Sequence, residues 1–147
     1  DPDFLVELAH YEWVELAVAT AKESRCCRAV TNVEMDPLYL SDAAQVVCYH
    51  YPVQTISAQN QPQQPDDTPS YICVYRDSND DVQFLALNAM TALLLDAIDN
   101  HEGIAFLNLC SALHQQAPNF TYEQIEQGAR QIVSELVQRQ IIQTLDC

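Results

Sequence analysis

Glycine is almost missing from this chain: Gly103 and Gly128 are the only two in 147 residues. A phosphate cradle needs close backbone approach at several positions without a Cβ, so a Gly-rich nucleotide loop is excluded. Neither a nucleophile elbow nor an HExxH or Cys/His zinc spacing takes its place. Basic residues are scarce as well. Six Lys and Arg stand against 21 Asp and Glu, a formal net charge of −15, and such a field repels phosphate backbones instead of releasing their counterions. Nucleic acid is therefore disfavoured as a partner. No apolar run reaches the roughly 18 residues that span a bilayer, and the first residues are acidic rather than a basic start to a signal segment. The expectation is a soluble, cytoplasmic protein without membrane contact. CxxC pairs are absent too: Cys26, Cys27, Cys48, Cys73, Cys110 and Cys147 sit mostly among apolar neighbours, the pattern of reduced thiols. The adjacent Cys26 and Cys27 lack the helix N-terminus and resolving spacing of a redox pair.

What is present is enough apolar surface for a core, 48% of the residues, in a chain the size of one ordinary domain. Residues 3–22 read as a helix, uninterrupted by Gly or Pro after Pro2. Leu5, Leu8, Leu16 and Ala19 form one apolar stripe, and Val6, Ala9, Trp13 and Ala17 form a second at about 100° per residue, leaving a narrow polar edge near Glu7 and His10. A helix apolar on two faces is expected between two layers, with Glu12 and Trp13 inward. The chain begins at Asp1 without a methionine, so the second layer is expected from a preceding portion of a longer protein. Glu7, His10, Tyr11, Glu12 and Trp13 are the expected domain-interface residues. A Glu/His pair one helical step apart could share a metal, as could Cys48 and His50 two apart in "CYHY", but neither has a further ligand nearby. No metal and no cofactor are assigned to this chain.

Residues 23–44 carry the turn signal "MDPLYLSD" and little periodicity, predicting a connection with a short helix; 1–44 are thus a leading helix and junction, and 45–147 a second unit. The charges Lys22, Arg25 and Arg28 read as a solvated helix end. "QVVCYHYPVQTIS" reads as a strand ended near Pro52, and 57–70, rich in Gln, Pro and Asp, as a loop. "YICVYR" and "VQFLAL" around "DSNDD" predict a hairpin over 71–87. Three helices follow: one capped by Asn88 with Met90, Leu94, Ala97 and Ile98 inward, one with Phe106, Leu109, Cys110 and Leu113 inward, and one opened by a capping box at Thr121–Gln124 with Ile125, Ala129, Ile132, Val133 and Leu136 inward. Gly128 costs the last of these about 1 kcal/mol relative to Ala and is expected to mark a close approach of another backbone. "IIQTL" predicts a final short strand.

The fold class expected is α+β: a buried N-terminal helix, a small antiparallel sheet and three C-terminal helices in a winged-helix-like order. Modules of that order bind DNA through a basic recognition helix, or capture an extended peptide on a free sheet edge. The third helix carries Glu123, Glu126 and Glu135 against Arg130 and Arg139, which favours peptide capture. Val82, Phe84 and Ala86 on the hairpin, with Ile132 and Leu136 on the third helix, are the candidate peptide-binding residues; each could equally fill the core. No catalytic residue is assigned.

"PDFLVELAHYEWVELA", "YPVQTIS", "QPQQP" and "VYRDSNDDVQFLALNAMTALLL" together resemble the C-terminal part of the HvfC-type family, a family also labelled as DNA-binding-domain proteins. The likeness spans nearly the whole chain. It implies a PqqD-like recognition domain in a non-catalytic accessory protein, which binds a ribosomally made precursor (leader) peptide and serves a multinuclear non-haem iron modifying enzyme as partner. The iron would belong to that enzyme. The alternative implied by the family label is a DNA-binding transcriptional regulator, which the charge argues against.

Overall fold

The computed structural model describes residues 4–146. Along them run α1 (Phe4–Thr20), β1 (Cys27–Arg28), β2 (Tyr39–Leu40), β3 (Ala44–Tyr49), a 3-10 turn (Val53–Thr55), β4 (Ser70–Arg76), β5 (Val82–Leu87), α2 (Ala89–Asn100), α3 (Phe106–Gln116), α4 (Tyr122–Gln138) and β6 (Ile142–Leu145). The fold is α+β, with two three-stranded antiparallel sheets ordered β3–β4–β5 and β1–β6–β2.

In the first sheet Val47 lies opposite Ile72, Cys73 opposite Leu85 and Val74 opposite Phe84. Successive side chains on a strand point to opposite faces, so this register divides the apolar residues into two sets. Val47, Tyr49, Ile72, Val74, Val82 and Phe84 pack with Val14 and Val18 of α1. Ala44, Val46, Cys73, Tyr75, Leu85 and Leu87 pack with α2, α3 and α4. The sheet is thus covered on both sides, which is why the central strand β4 reads as the unbroken apolar run "ICVY" instead of alternating. At the hairpin turn the Asp77 carboxylate accepts from Asn79 N–H and Asp81 N–H and from the Gln83 amide, while Asp80 takes φ 63°. The Gln83 contact leads the causes that lower the Asp77 pKa.

Two helices, α2 and α4, start where their caps predict. Asn88 accepts from Thr91 N–H, and Thr121 and Gln124 bond reciprocally as a capping box. Leu94, Leu95 and Ile98 of α2, Phe106, Leu109, Cys110 and Leu113 of α3, and Ile125, Ala129, Val133 and Leu136 of α4 meet in one buried cluster, with Met90 and Ile132 at its margin. Gly128 does not answer its expectation: a Cβ there would meet nothing within 4 Å, so no backbone approaches it.

Residues 23–44 contain no helix and are not a plain connection. β1 and β2 flank β6, with Cys27 opposite Leu145 and Tyr39 opposite Gln143, and this pairing lies more than 100 residues apart in sequence, beyond the reach of local periodicity. The arginines expected at a solvated helix end are clamps instead. Arg25 donates to the Leu40 carbonyl and the Asp42 carboxylate, each at 2.8 Å, and Arg28 grips Asp36 with two nitrogens. Asp36 also accepts from Thr31 N–H and Asn32 N–H. Arg28 first, and then these amides, hold its carboxyl well below the usual carboxylate range. Gly103 closes this corner in the left-handed region at φ +78°, where a Cβ would strike Tyr39 Oη at 2.7 Å.

Candidate binding site

The narrow polar edge of α1 at Glu7 and His10 faces the sheet. The Glu7 carboxylate accepts from the backbone N–H of His50 and of Tyr51, both at 2.8 Å, and lies 3.1 Å from His50 Nδ1. Its side chain is one-fifth exposed. β3 ends at Tyr49, so two N–H groups emerge there without a ladder partner, and a carboxylate from another element answers them as a helix cap would. His10 Nδ1 lies 2.9 Å from the Tyr49 hydroxyl, and Tyr11 sits 5.2 Å from the Phe84 ring centroid. Burial first, and then the Glu7 charge, pushes the Tyr49 hydroxyl up to about 12.

The inward line of α1 therefore runs through Phe4, Glu7, Tyr11, Val14 and Val18, not through either apolar stripe. Glu12 and Trp13, expected inward, point out; Glu12 is exposed and Trp13 is 60% exposed. Apolarity alone misplaced this helix because the polar residues on its inner face are satisfied by partners 40 residues away. Replacing Glu7 with Ala leaves the His50 and Tyr51 amides to water at a half-covered site, and is expected to cost about 1–2 kcal/mol. Urea unfolding of the variant checks this, with Glu7→Gln expected to recover part of the loss.

The five residues expected to line one groove are on two sides of the sheet. Val82 and Phe84 pack against the α1 cluster, whereas Ile132 and Leu136 belong to the helical core beyond the opposite face. Ala86, in register with Ile72, shares the α1 face and is exposed. A one-residue alternation decides which face a strand residue takes, and the sequence pattern did not say which face α4 covers.

A groove does form elsewhere. The side of β3 turned away from β4 has no strand partner among the described residues, and beside it α2 leaves a cavity of about 430 Å³ lined by Val46, Cys48, Tyr71, Ala92, Leu93 and Asp96. Ala89 and Ala92 present little side-chain volume to β3, which keeps the space open. The lining is apolar with one carboxylate, Asp96, and no Lys or Arg contributes to it. Those alanines, three apart at the start of α2, are the signal in the sequence that could have found the groove.

Among the described residues the thiols are distributed, not paired. Cys48 and His50 are both exposed, with His50 beyond the end of β3 and turned to Glu7. Burial pushes Cys73 up to about 12 and Cys110 up to about 11. Burial is also the leading cause raising Cys27, against the opposing pull of Arg25, the reverse of what a nucleophilic thiolate requires. Among the described residues no three His, Cys, Asp or Glu side chains converge on a point that could hold a metal ion. Among them, too, no helix is long and apolar enough to cross a membrane.

Comparison with known families places this geometry. The model of the HvfC C-terminal domain matches residues 41–137, a span that takes in the β3–β4–β5 sheet, α2, α3 and nearly all of α4. No curated protein matches the chain.

Proposed function

Because the chain belongs to the HvfC C-terminal domain family, we propose that it is a non-catalytic accessory protein which holds an extended segment of a ribosomally made precursor peptide. It presents that peptide to a multinuclear non-haem iron enzyme, which carries the chemistry. The observation that carries this reading is the unpartnered edge of β3 lying beside the apolar groove under α2. An extended peptide added to that edge would gain main-chain hydrogen bonds along β3, and every second side chain would drop between Val46, Cys48 and Leu93. Affinity then comes from the ladder and selectivity from the groove.

In this reading residues 45–147 form the recognition unit in a winged-helix-like, PqqD-like order, and 1–44 join it to the rest of the assembly. β5 is the other edge of the sheet, but its Val82 and Phe84 side chains are packed under α1. The acidic field of the protein favours a peptide with basic residues flanking its apolar positions. The DNA-binding alternative lacks free cations on α4: Arg130 pairs with Glu34 and Glu126, and Arg139 with Glu135 and the Tyr75 hydroxyl.

Titrating the isotope-labelled protein with leader peptides of candidate precursors tests the proposal. Amide signals of residues 44–49 and 89–96 are expected to move and saturate. Unchanged signals in both stretches at high excess of every peptide would overturn it.

A further inference from the structure

The groove beside β3 is lined by one charged side chain, and the course of α2 fixes where along the groove it lies. Leu87 pairs with Tyr71, and Tyr71 with Cys48, so α2, starting at Ala89, begins beside the Cys48 end of β3. Farther along the helix Ile98, Asp99 and Glu102 share a smaller, polar cavity with Ala44. The helix therefore runs back along the strand, from Cys48 towards Ala44. Ala89, Ala92 and Asp96 recur at helical spacing on the side turned to β3, and the seven residues from Ala89 to Asp96 advance roughly 10 Å. The open space over the alanines thus lies by Cys48, and the carboxylate lies nearer Val46.

Asp96 is exposed, and no Lys, Arg or His of the described residues pairs with it. Two carboxylates of the neighbouring cavity differ. Asp42 and Glu102 flank Arg25, at 2.8 and 3.8 Å from its nitrogens, so their charge is met within the chain. A strand added to β3 directs every second side chain to α2, and a six-residue edge places such side chains beside Ala44, Val46 and Cys48. The one beside Cys48 meets small and apolar groups. The one beside Val46, about 7 Å along, meets Asp96. A neutral side chain pressed against that carboxylate takes away its water and returns nothing, whereas Lys or Arg returns a charge-assisted hydrogen bond.

We infer that Asp96 is the specificity-determining residue of the groove, selecting a precursor segment that carries an apolar residue and, two positions from it, Lys or Arg. The inference rests on the peptide reading above and adds a register to it. The order of the two residues follows from the strand direction: Lys before the apolar residue marks a strand parallel to β3, and Lys after it an antiparallel one.

The probes are fluorescently labelled peptides of about ten residues, rich in Thr and Val, with Leu-Thr-Lys or Lys-Thr-Leu at the centre. Anisotropy gives their affinity for the whole chain, and the amide signals of residues 44–49 report where they bind. One of the two orders is expected to bind about fivefold tighter, or more, than the same peptide with Gln for Lys. It is expected to exceed by as much a peptide with Lys moved by one position, which has equal charge but turns that side chain away from α2. Asp96→Asn is expected to abolish both differences, and Asp96→Lys to reverse the first, with Glu then preferred over Lys. Glu12→Gln, an equal loss of charge at an exposed site on the α1 side of the sheet, is expected to leave both unchanged. Circular dichroism verifies that the variants fold. A Lys preference that survives in Asp96→Asn, or that the shifted peptide matches, belongs to the acidic field and overturns the inference. Equal binding of the Lys and Gln peptides, with the amides of 44–49 moving, overturns it and leaves the groove reading in place. If no peptide binds and those amides stay still, the groove reading falls and this inference falls with it.

Discussion

Alanine in place of Phe106 is expected to cost the fold about 3–5 kcal/mol, read as a lower urea midpoint at an unchanged slope. Phe106 is fully buried at the start of α3 and packs in the cluster where α2, α3, α4 and the inner face of the sheet meet. The Arg130 guanidinium lies over its ring at 5.0 Å from the centroid. Removing the ring opens a cavity that helices on three sides cannot close without breaking their own contacts, and it also strips the cation from its aromatic partner. Since single domains are stable by roughly 5–15 kcal/mol, this one truncation removes a large share. A loss below about 1 kcal/mol would mean that the layer is not packed as described.

Tryptophan at Cys48 is expected to weaken peptide binding about 30-fold, equivalent to roughly 2 kcal/mol, the size of one central contact in an interface. Cys48 lines the groove at the β3 edge and is exposed in the free protein, so the indole can enter the empty space without displacing core side chains. It would then occupy the place of a peptide side chain. Cys48→Ser, of similar volume, is expected to bind within about twofold of the parent. Binding by Cys48→Trp equal to that of the parent would place the peptide elsewhere, and the free edge of β5 would be the next position to probe.

Both effects turn on α2, which borders the groove on one side and the Phe106 cluster on the other. Softening the core at Phe106 should let α2 drift and blur the groove, whereas filling the groove leaves the core intact. Stability and binding are therefore expected to fall together in Phe106→Ala and to separate in Cys48→Trp.

Local chemistry was legible along the chain. "DSNDD" between two β-rich runs made a hairpin because Asp77 can bond to amides two and four residues ahead, and Thr121 with Gln124 opened α4 because a capping box needs four residues and nothing else. The inward stripes of α2, α3 and α4 followed from spacing and agree closely with their burial. The combined motifs of the leading helix and the hairpin also pointed to the family that the comparison bears out. In each case the partners lie within a few residues, or the pattern repeats with the element's own period.

Other features needed partners far away in sequence, and there the reading went astray. β1 and β2 are two residues each and take their identity from β6. Glu7 and His10 were read only as a narrow polar edge because nothing in "LAHYEWVELA" announces that the end of β3 offers two backbone amides and a phenol. The groove was missed for a related reason, since it is the space between β3 and a helix 40 residues later, and only the small Ala89 and Ala92 hint at it. The sequence by itself determined the long elements, the caps of α2 and α4, the acidic field and the family. The tertiary structure decided which way α1 faces and which side of the sheet α4 covers, because those orientations depend on partners that are supplied only when distant strands and helices meet.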